Sequence, residues 1–303
     1  MTGALAPTPG PKPRHWIACA DDFAIDEGAV EGILELIERG RITATSALVD
    51  SPFWRSAAQR VRAQLARVKG ASPARFDVGL HLNLTQALAQ RAGAVWPLGE
   101  LIARCAVGAV PLGPLRATIE HQLDAFEDAM NRRPDYVDGH QHVHQFAIVR
   151  EALVSALRRR YGTDLPWLRS TRPPASVRDI KARGIAALGD RQLRALAAAS
   201  DFAINAYLVG VYDFRADAGR YWRRLKQWLH DGPEACVLMT HPATRAPRGD
   251  ALAGARPMEF AALASAQFGA LLDAERITLT TGTCLLAKGP AGSAGAAAAR
   301  AGP

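Results

Sequence analysis

The side chains able to do acid–base or metal chemistry fall in five short stretches. In IACADDFAID, an apolar run from Ile17 to Ala20 ends in two adjacent carboxylates, Asp21 and Asp22. Neighbouring carboxylates repel, and a cation is the most economical offset; a solvated turn with Asp26 as a helix cap is the plainer alternative. His81, in VGLHLNLT, reads as a metal ligand or as a core histidine satisfied by Asn83. In DGHQHVH, His140, His142 and His144 follow Asp138 at intervals of two, which on an extended strand places all four on one face. A carboxylate with imidazoles suits a divalent cation such as zinc, and Asp138 is either a ligand or the partner that orients an imidazole. Arg169, in WLRS, reads as a donor facing a sugar or carboxylate, or as an ion pair with an acid on the same rim. His241, in MTHPA, follows an apolar run and precedes a proline that would end the strand.

These stretches need elements that bring them together. Apolar runs predict strands over 16–20, 42–49, 77–84, 136–144, 166–170, 235–240 and 277–281. Helical spacing predicts helices over 28–39, 53–68, 115–130, 148–159, 190–199, 220–230 and 257–273. Residues 86–113 read as an excursion whose Trp96 either stacks on a ligand or caps the core, and 171–220 resist assignment outside the helix near 190–199. Alternating strands and helices imply an α/β fold: a single-domain distorted (β/α) barrel with parallel strands. The expected limits are a disordered lead-in over 1–14, the barrel over 15–287 and a disordered Gly/Ala-rich tail over 288–303. In such a barrel the C-terminal strand ends share one mouth, so the metal site is expected there.

The formal charge of +8 is carried by arginines spread over helical segments without interleaved aromatics, which argues against nucleic acid. No stretch reaches the roughly 18 consecutive apolar residues of a membrane span, and the Pro-rich N-terminus has no apolar signal core. A cytoplasmic protein without stable membrane insertion is expected. Cys19, Cys105, Cys236 and Cys284 lack metal or disulfide spacing and read as small buried hydrophobes in a reducing compartment.

The chain resembles the YdjC-like carbohydrate deacetylases, a group that includes chitooligosaccharide and hopanoid-biosynthesis deacetylases. The matching pieces are ADDFAID, RGRITATSALV, VGLHLNLT, PDYVDGHQHVHQF, WLRS, VGVYDF and LMTHPA, in family order over about residues 16–285. Members usually carry glycine where Ala24 stands. The resemblance implies a hydrolase that removes an N-acetyl group from an N-acetylated sugar or amino-sugar lipid. It implies one divalent metal, Zn2+ or Mg2+, on Asp22, His81 and His140, with Asp21 as general base and His241 as the acid for the leaving amine. Arg169, His142 and His144 are then expected against the substrate, and a homodimer is the assembly common among similar proteins. Spacing alone decides neither which aspartate is the ligand nor which of His140, His142 and His144 is the third ligand. Hydrolysis of another amide or ester is the alternative. A non-catalytic sugar- or metal-binding homologue would be expected to lack Asp21 or His241.

Overall fold

The sheet is laid on β1 (Arg14–Phe23), whose residues are buried on both faces from Trp16 onward, as expected where a parallel sheet is covered by helices. β7 (Cys236–Thr240) runs along one edge of β1. The other edge is shared by β8 (Ile277–Leu279), beside Arg14–Trp16, and β2 (Ala44–Ala47), beside Cys19–Phe23. β3 (Asp77–Leu82), β4 (Tyr136–Gly139) and β5 (Trp167–Leu168) extend the sheet beyond β2, and β6 (Tyr207–Val209) lies beyond β7, in the order β5-β4-β3-β2-β1-β7-β6. All pairings are parallel. The two ends of this strip meet: Leu168 bridges Ile204, its N–H donates to the Ala203 carbonyl at 2.9 Å, and the Leu208 N–H donates to the Arg172 carbonyl at 2.7 Å. The result is the expected distorted barrel, with its seam between β5 and β6. This computed structural model describes residues 12–68, 76–88, 94–215, 217–245 and 249–287. The tail over 288–303 and most of the lead-in over 1–14 lie outside the described residues, but Arg14 belongs to β1.

Two cores follow from the strand period of two. Ile17, Cys19, Tyr136, Trp167, Val237 and Met239 face into the barrel. Trp16, Ala18, Ala20 and Leu238 belong to the layer against the helices. Continuing the inward rows by two residues reaches Asp21, Asp138, Arg169 and His241, so the barrel's own side-chain order delivers polar groups to its C-terminal mouth.

The helices are α1 (Glu27–Glu38), α2 (Trp54–Val68), α3 (Leu98–Ala106), α4 (Leu112–Met130), α5 (Val149–Tyr161), α6 (Ile180–Ala187), α7 (Asp190–Ala199), α8 (Ala218–Asp231), α9 (Ala255–Ala264), α10 (Ala266–Ala274) and α11 (Gly282–Leu286). Asp26 caps α1, accepting from the Ala29 N–H at 2.8 Å. The helix expected over 257–273 is two helices: Ser265 ends α9 and caps α10 by accepting from the Phe268 N–H at 3.2 Å. The stretch 171–220 holds α6, α7 and the three-residue β6, which is too short to show a period. Trp96 packs, half-buried, on the outer core, and so caps. Among the described residues no helix is long and apolar enough to cross a membrane.

Candidate active site

Register between β1 and β2 slips between Ala20 and Phe23, so Asp21 and Asp22 stand in a bulge, a device that re-aims side chains. Asp22 takes φ 62° and Ala24 φ 71°. The second value explains why glycine suits position 24: the left-handed conformation costs an L-residue roughly 1–2 kcal/mol.

The DGHQHVH stretch corrects the expectation of one extended strand. β4 ends at Gly139, and His140–Gln145 form two tight turns joined across a kink at Gln141 and His142, whose φ values are 53° and 62°. A Cβ on Gly139 would lie 2.8 Å from the His144 backbone nitrogen, so only glycine lets the chain fold back here. The three histidines therefore do not share one strand face: His140 and His142 reach the cavity and His144 does not.

A cavity of about 510 Å³ opens at the strand ends, and Asp21, Asp22, His81, His140, His142 and His241 line it. Asp22, His81 and His140 each offer a ligand atom, all within 4.8 Å of one another. Asp22 Oδ1 lies 3.0 Å from His140 Nδ1 and 3.3 Å from His81 Nε2. His81 Nδ1 lies 2.6 Å from Asp138 Oδ1. If His81 is neutral and Nδ1 donates to Asp138, its Nε2 lone pair faces the Asp22 oxygen, and that arrangement is stable only with a proton or cation between them. Burial alone would lower the His81 pKa, yet Asp138, Asp22 and Asp21 together push it up to about 10. One carboxylate oxygen, two imidazole nitrogens and a local field that calls for positive charge fit a divalent cation. Asp138 then takes the orienting role.

Two buried arginines also offset the acids: Arg169 takes the ion-pair role that its sequence left open beside a substrate-facing one, and the Arg256 pairing has no counterpart in the spacing. Arg169 is fully buried and donates to Asp21 Oδ1 at 2.5 Å and Oδ2 at 2.7 Å, while its Nη1 lies 2.9 Å from Asp138 Oδ2. Burial would raise the Asp21 pKa, but the guanidinium and the neighbouring imidazoles hold it well below the usual carboxylate range. Arg256, at the start of α9, donates to Asp22 Oδ2 at 2.8 Å and pairs with Asp250. Against the burial penalty, Arg256 and His140 keep Asp22 ionised.

Arg169 and His144, expected against the substrate, are not on the cavity wall. Arg169 faces inward on the β5 row, below Asp21. His144 is buried and donates from Nε2 to the Arg169 carbonyl at 2.7 Å; burial lowers its pKa to about 4. His142 does reach the cavity, and burial and Arg169 keep it neutral. His241 is nearly buried and stands edge-on to Phe214 at 5.2 Å. Burial lowers its pKa to about 4. Its backbone N–H donates to Glu259 Oε2 at 2.5 Å, and Glu259 Oε1 accepts from the Tyr212 hydroxyl at 2.7 Å.

Arg256 and Glu259 went unnoticed in the sequence, though a signal was there. The buried face of α9 is Ala255, Arg256, Glu259, Ala262 and Leu263, so two charges sit on the apolar stripe, where solvated residues do not belong.

A family model described as YdjC-like protein matches residues 16–274. A carbohydrate deacetylase of Mus musculus is 30% identical over 193 residues, covering 59% of this chain and 59% of that protein. A chitooligosaccharide deacetylase of Serratia marcescens is 27% identical over 233 residues, covering 75% of this chain and 81% of that protein. Of the human carbohydrate deacetylase the chain spans about half the length, 46%. A crystal structure from Enterococcus faecalis V583, provisionally described as a cellobiose-phosphate cleavage protein, is 22% identical with a TM-score of 0.64, covering 91% of this chain and all of that one. At that identity the likeness shows the fold.

Proposed function

The chain belongs to the YdjC-like family, and from that premise we propose that it is a metal-dependent hydrolase that removes the acetyl group from an N-acetylated amino sugar. The observation that carries this reading is the convergence of Asp22, His81 and His140 within 4.8 Å on the wall of a cavity that Asp21 and His241 also line. Asp22, His81 and His140 would hold one divalent ion, Zn2+ or Mg2+, which supplies Lewis acidity toward water and the acetamide carbonyl.

The chain's own groups handle the protons. Asp21 is ionised at neutral pH because Arg169 holds it so; its Oδ1 also accepts from Ser46 and Cys19, whereas Oδ2, among the described residues, accepts only from Arg169 and keeps a lone pair free. It accepts a proton from the attacking water. His241 rests neutral because burial lowers its pKa. The proton it delivers to the departing nitrogen is therefore one gained during turnover. The C–O bond forms first, and the C–N bond then breaks as the nitrogen takes that proton, leaving acetate and a free amino sugar. His142, neutral and on the cavity wall, supplies a hydrogen-bonding edge for the substrate.

Much of the remaining wall is apolar: Ile25, Leu98, Ile185, Val211, Phe214 and Leu252. This favours an amino sugar carrying an apolar group over a purely polar oligosaccharide. The test is acetate release from N,N′-diacetylchitobiose and from an N-acetylglucosaminyl lipid, with chelator and with Zn2+ or Mg2+ restored. Release that stops with chelator and returns with metal is expected, with the lipid preferred. No release from either substrate with either metal would overturn the reading and revive a non-catalytic, ligand-binding role.

A further inference from the structure

We propose that Arg256 is a positioning residue that decides which oxygen of Asp22 faces the two histidines. The inference rests on the reading of Asp22, His81 and His140 as metal ligands. Arg256 is 1% exposed, and its backbone is fixed at both ends: its N–H donates to the Leu252 carbonyl at 3.1 Å, and its carbonyl accepts from the Ala243 N–H at 3.3 Å. From this anchored point, between the end of β7 and the cavity wall at 249–252, the guanidinium forks. Nη2 donates to Asp22 Oδ2 at 2.8 Å, and Nε donates to Asp250 Oδ2.

The two oxygens of Asp22 thereby have separate tasks. Oδ2 is committed to Arg256, and Oδ1 alone faces His140 Nδ1 at 3.0 Å and His81 Nε2 at 3.3 Å. An unheld carboxylate can rotate and present either oxygen, or both, to a cation. A charge-assisted bond to one oxygen removes that freedom. The arginine's charge would by itself repel a cation at this site. Asp250 offsets it, so the Arg256–Asp250 pair orients Asp22 while remaining neutral. Asp250 and Leu252 also line the cavity, which ties the geometry of Asp22 to the wall the substrate meets.

The test measures Zn2+ affinity by competition with a chromophoric chelator, and the visible absorption spectrum of the Co2+-loaded full chain. The proteins are wild type, R256K, and the charge-balanced double variant R256Q/D250N. Lysine keeps the charge but lacks the planar fork. R256K is expected to bind Zn2+ about ten- to a hundredfold more weakly, the usual cost of losing a partner that orients a ligand, and to show an altered Co2+ spectrum. The double variant guards against misfolding by an unbalanced buried acid and is expected to show the same loss. Wild-type affinity and spectrum in either folded variant would overturn the positioning role. A wild-type protein that binds neither Zn2+ nor Co2+ would overturn the metal-centre reading, and this inference with it, so the wild-type arm tells the two failures apart.

Discussion

Replacing Arg169 with methionine should be among the most damaging single changes to the barrel, although the residue does not line the cavity. Arg169 is fully buried and makes two charge-assisted hydrogen bonds to Asp21 and one short ion pair with Asp138. Methionine would fill most of the volume but leave two carboxylates without their counterion. Asp21 would keep only the Ser46 hydroxyl at 3.3 Å and the Cys19 thiol at 3.4 Å; Asp138 would keep His81. Breaking a buried pair by removing one partner costs about 3–5 kcal/mol. For a domain of this size, at about 2.1 cal/mol/K of unfolding entropy per residue, that corresponds to a Tm lower by about 5–9 °C, measurable by circular dichroism or calorimetry on metal-free protein. The triple variant R169M/D21N/D138N separates charge from packing. Neutralising both acids should recover more than half of the lost stability, because the penalty lies in uncompensated charge. A Tm for R169M within about 2 °C of wild type would refute the argument, as would a triple variant no more stable than the single one.

Asp77 supplies a pH dependence remote from the cavity. Burial and then Asp135 raise its pKa to about 6, above the unfolded value of about 3.9. The folded state therefore holds the proton more tightly, and this group's contribution to stability declines as pH rises from about 4 to 6. Asp77 Oδ2 accepts from both Trp167 Nε1 and the Thr283 N–H, bonds an asparagine carbonyl can keep. In urea unfolding, D77N should gain about 2–3 kcal/mol relative to wild type between pH 4 and 7, and parallel curves would contradict the assignment. D21N should bind Zn2+ within threefold of wild type while turnover falls by about a hundredfold or more, the contribution of a general base; retained activity would remove Asp21 from that role. Gly210 has φ 103°, and a Cβ there would lie 2.1 Å from the Met239 carbonyl oxygen. G210A should lower stability by about 1–3 kcal/mol, read as a Tm decrease, and an unchanged Tm would show that the β6–β7 edge relaxes freely.

What could be read in the sequence, and what could not, divides along the distance over which a residue's surroundings are local. Ile17, Cys19 and Asp21 alternate along one strand, as do Val237, Met239 and His241, so the period of two carries the site residues to the mouth without knowledge of any other strand. The same reasoning misled in DGHQHVH. There the backbone leaves the extended region after Gly139, and identical spacing sends His140 and His142 to the cavity and His144 to the Arg169 carbonyl. Nothing in the alternation distinguishes a strand from a turn whose Gln141 and His142 take left-handed values, because that conformation is stabilised by packing from outside the segment. The arginines mark the farther limit. Arg169 meets an acid 148 positions away and Arg256 one 234 positions away, pairings that exist only once the barrel closes. The doubled acid at 21 and 22 announced that compensation was needed. Which cations supply it is a property of the closed fold, and a carboxylate shared between a buried arginine and a ligand site, as Asp22 is, is an arrangement that local pattern does not record.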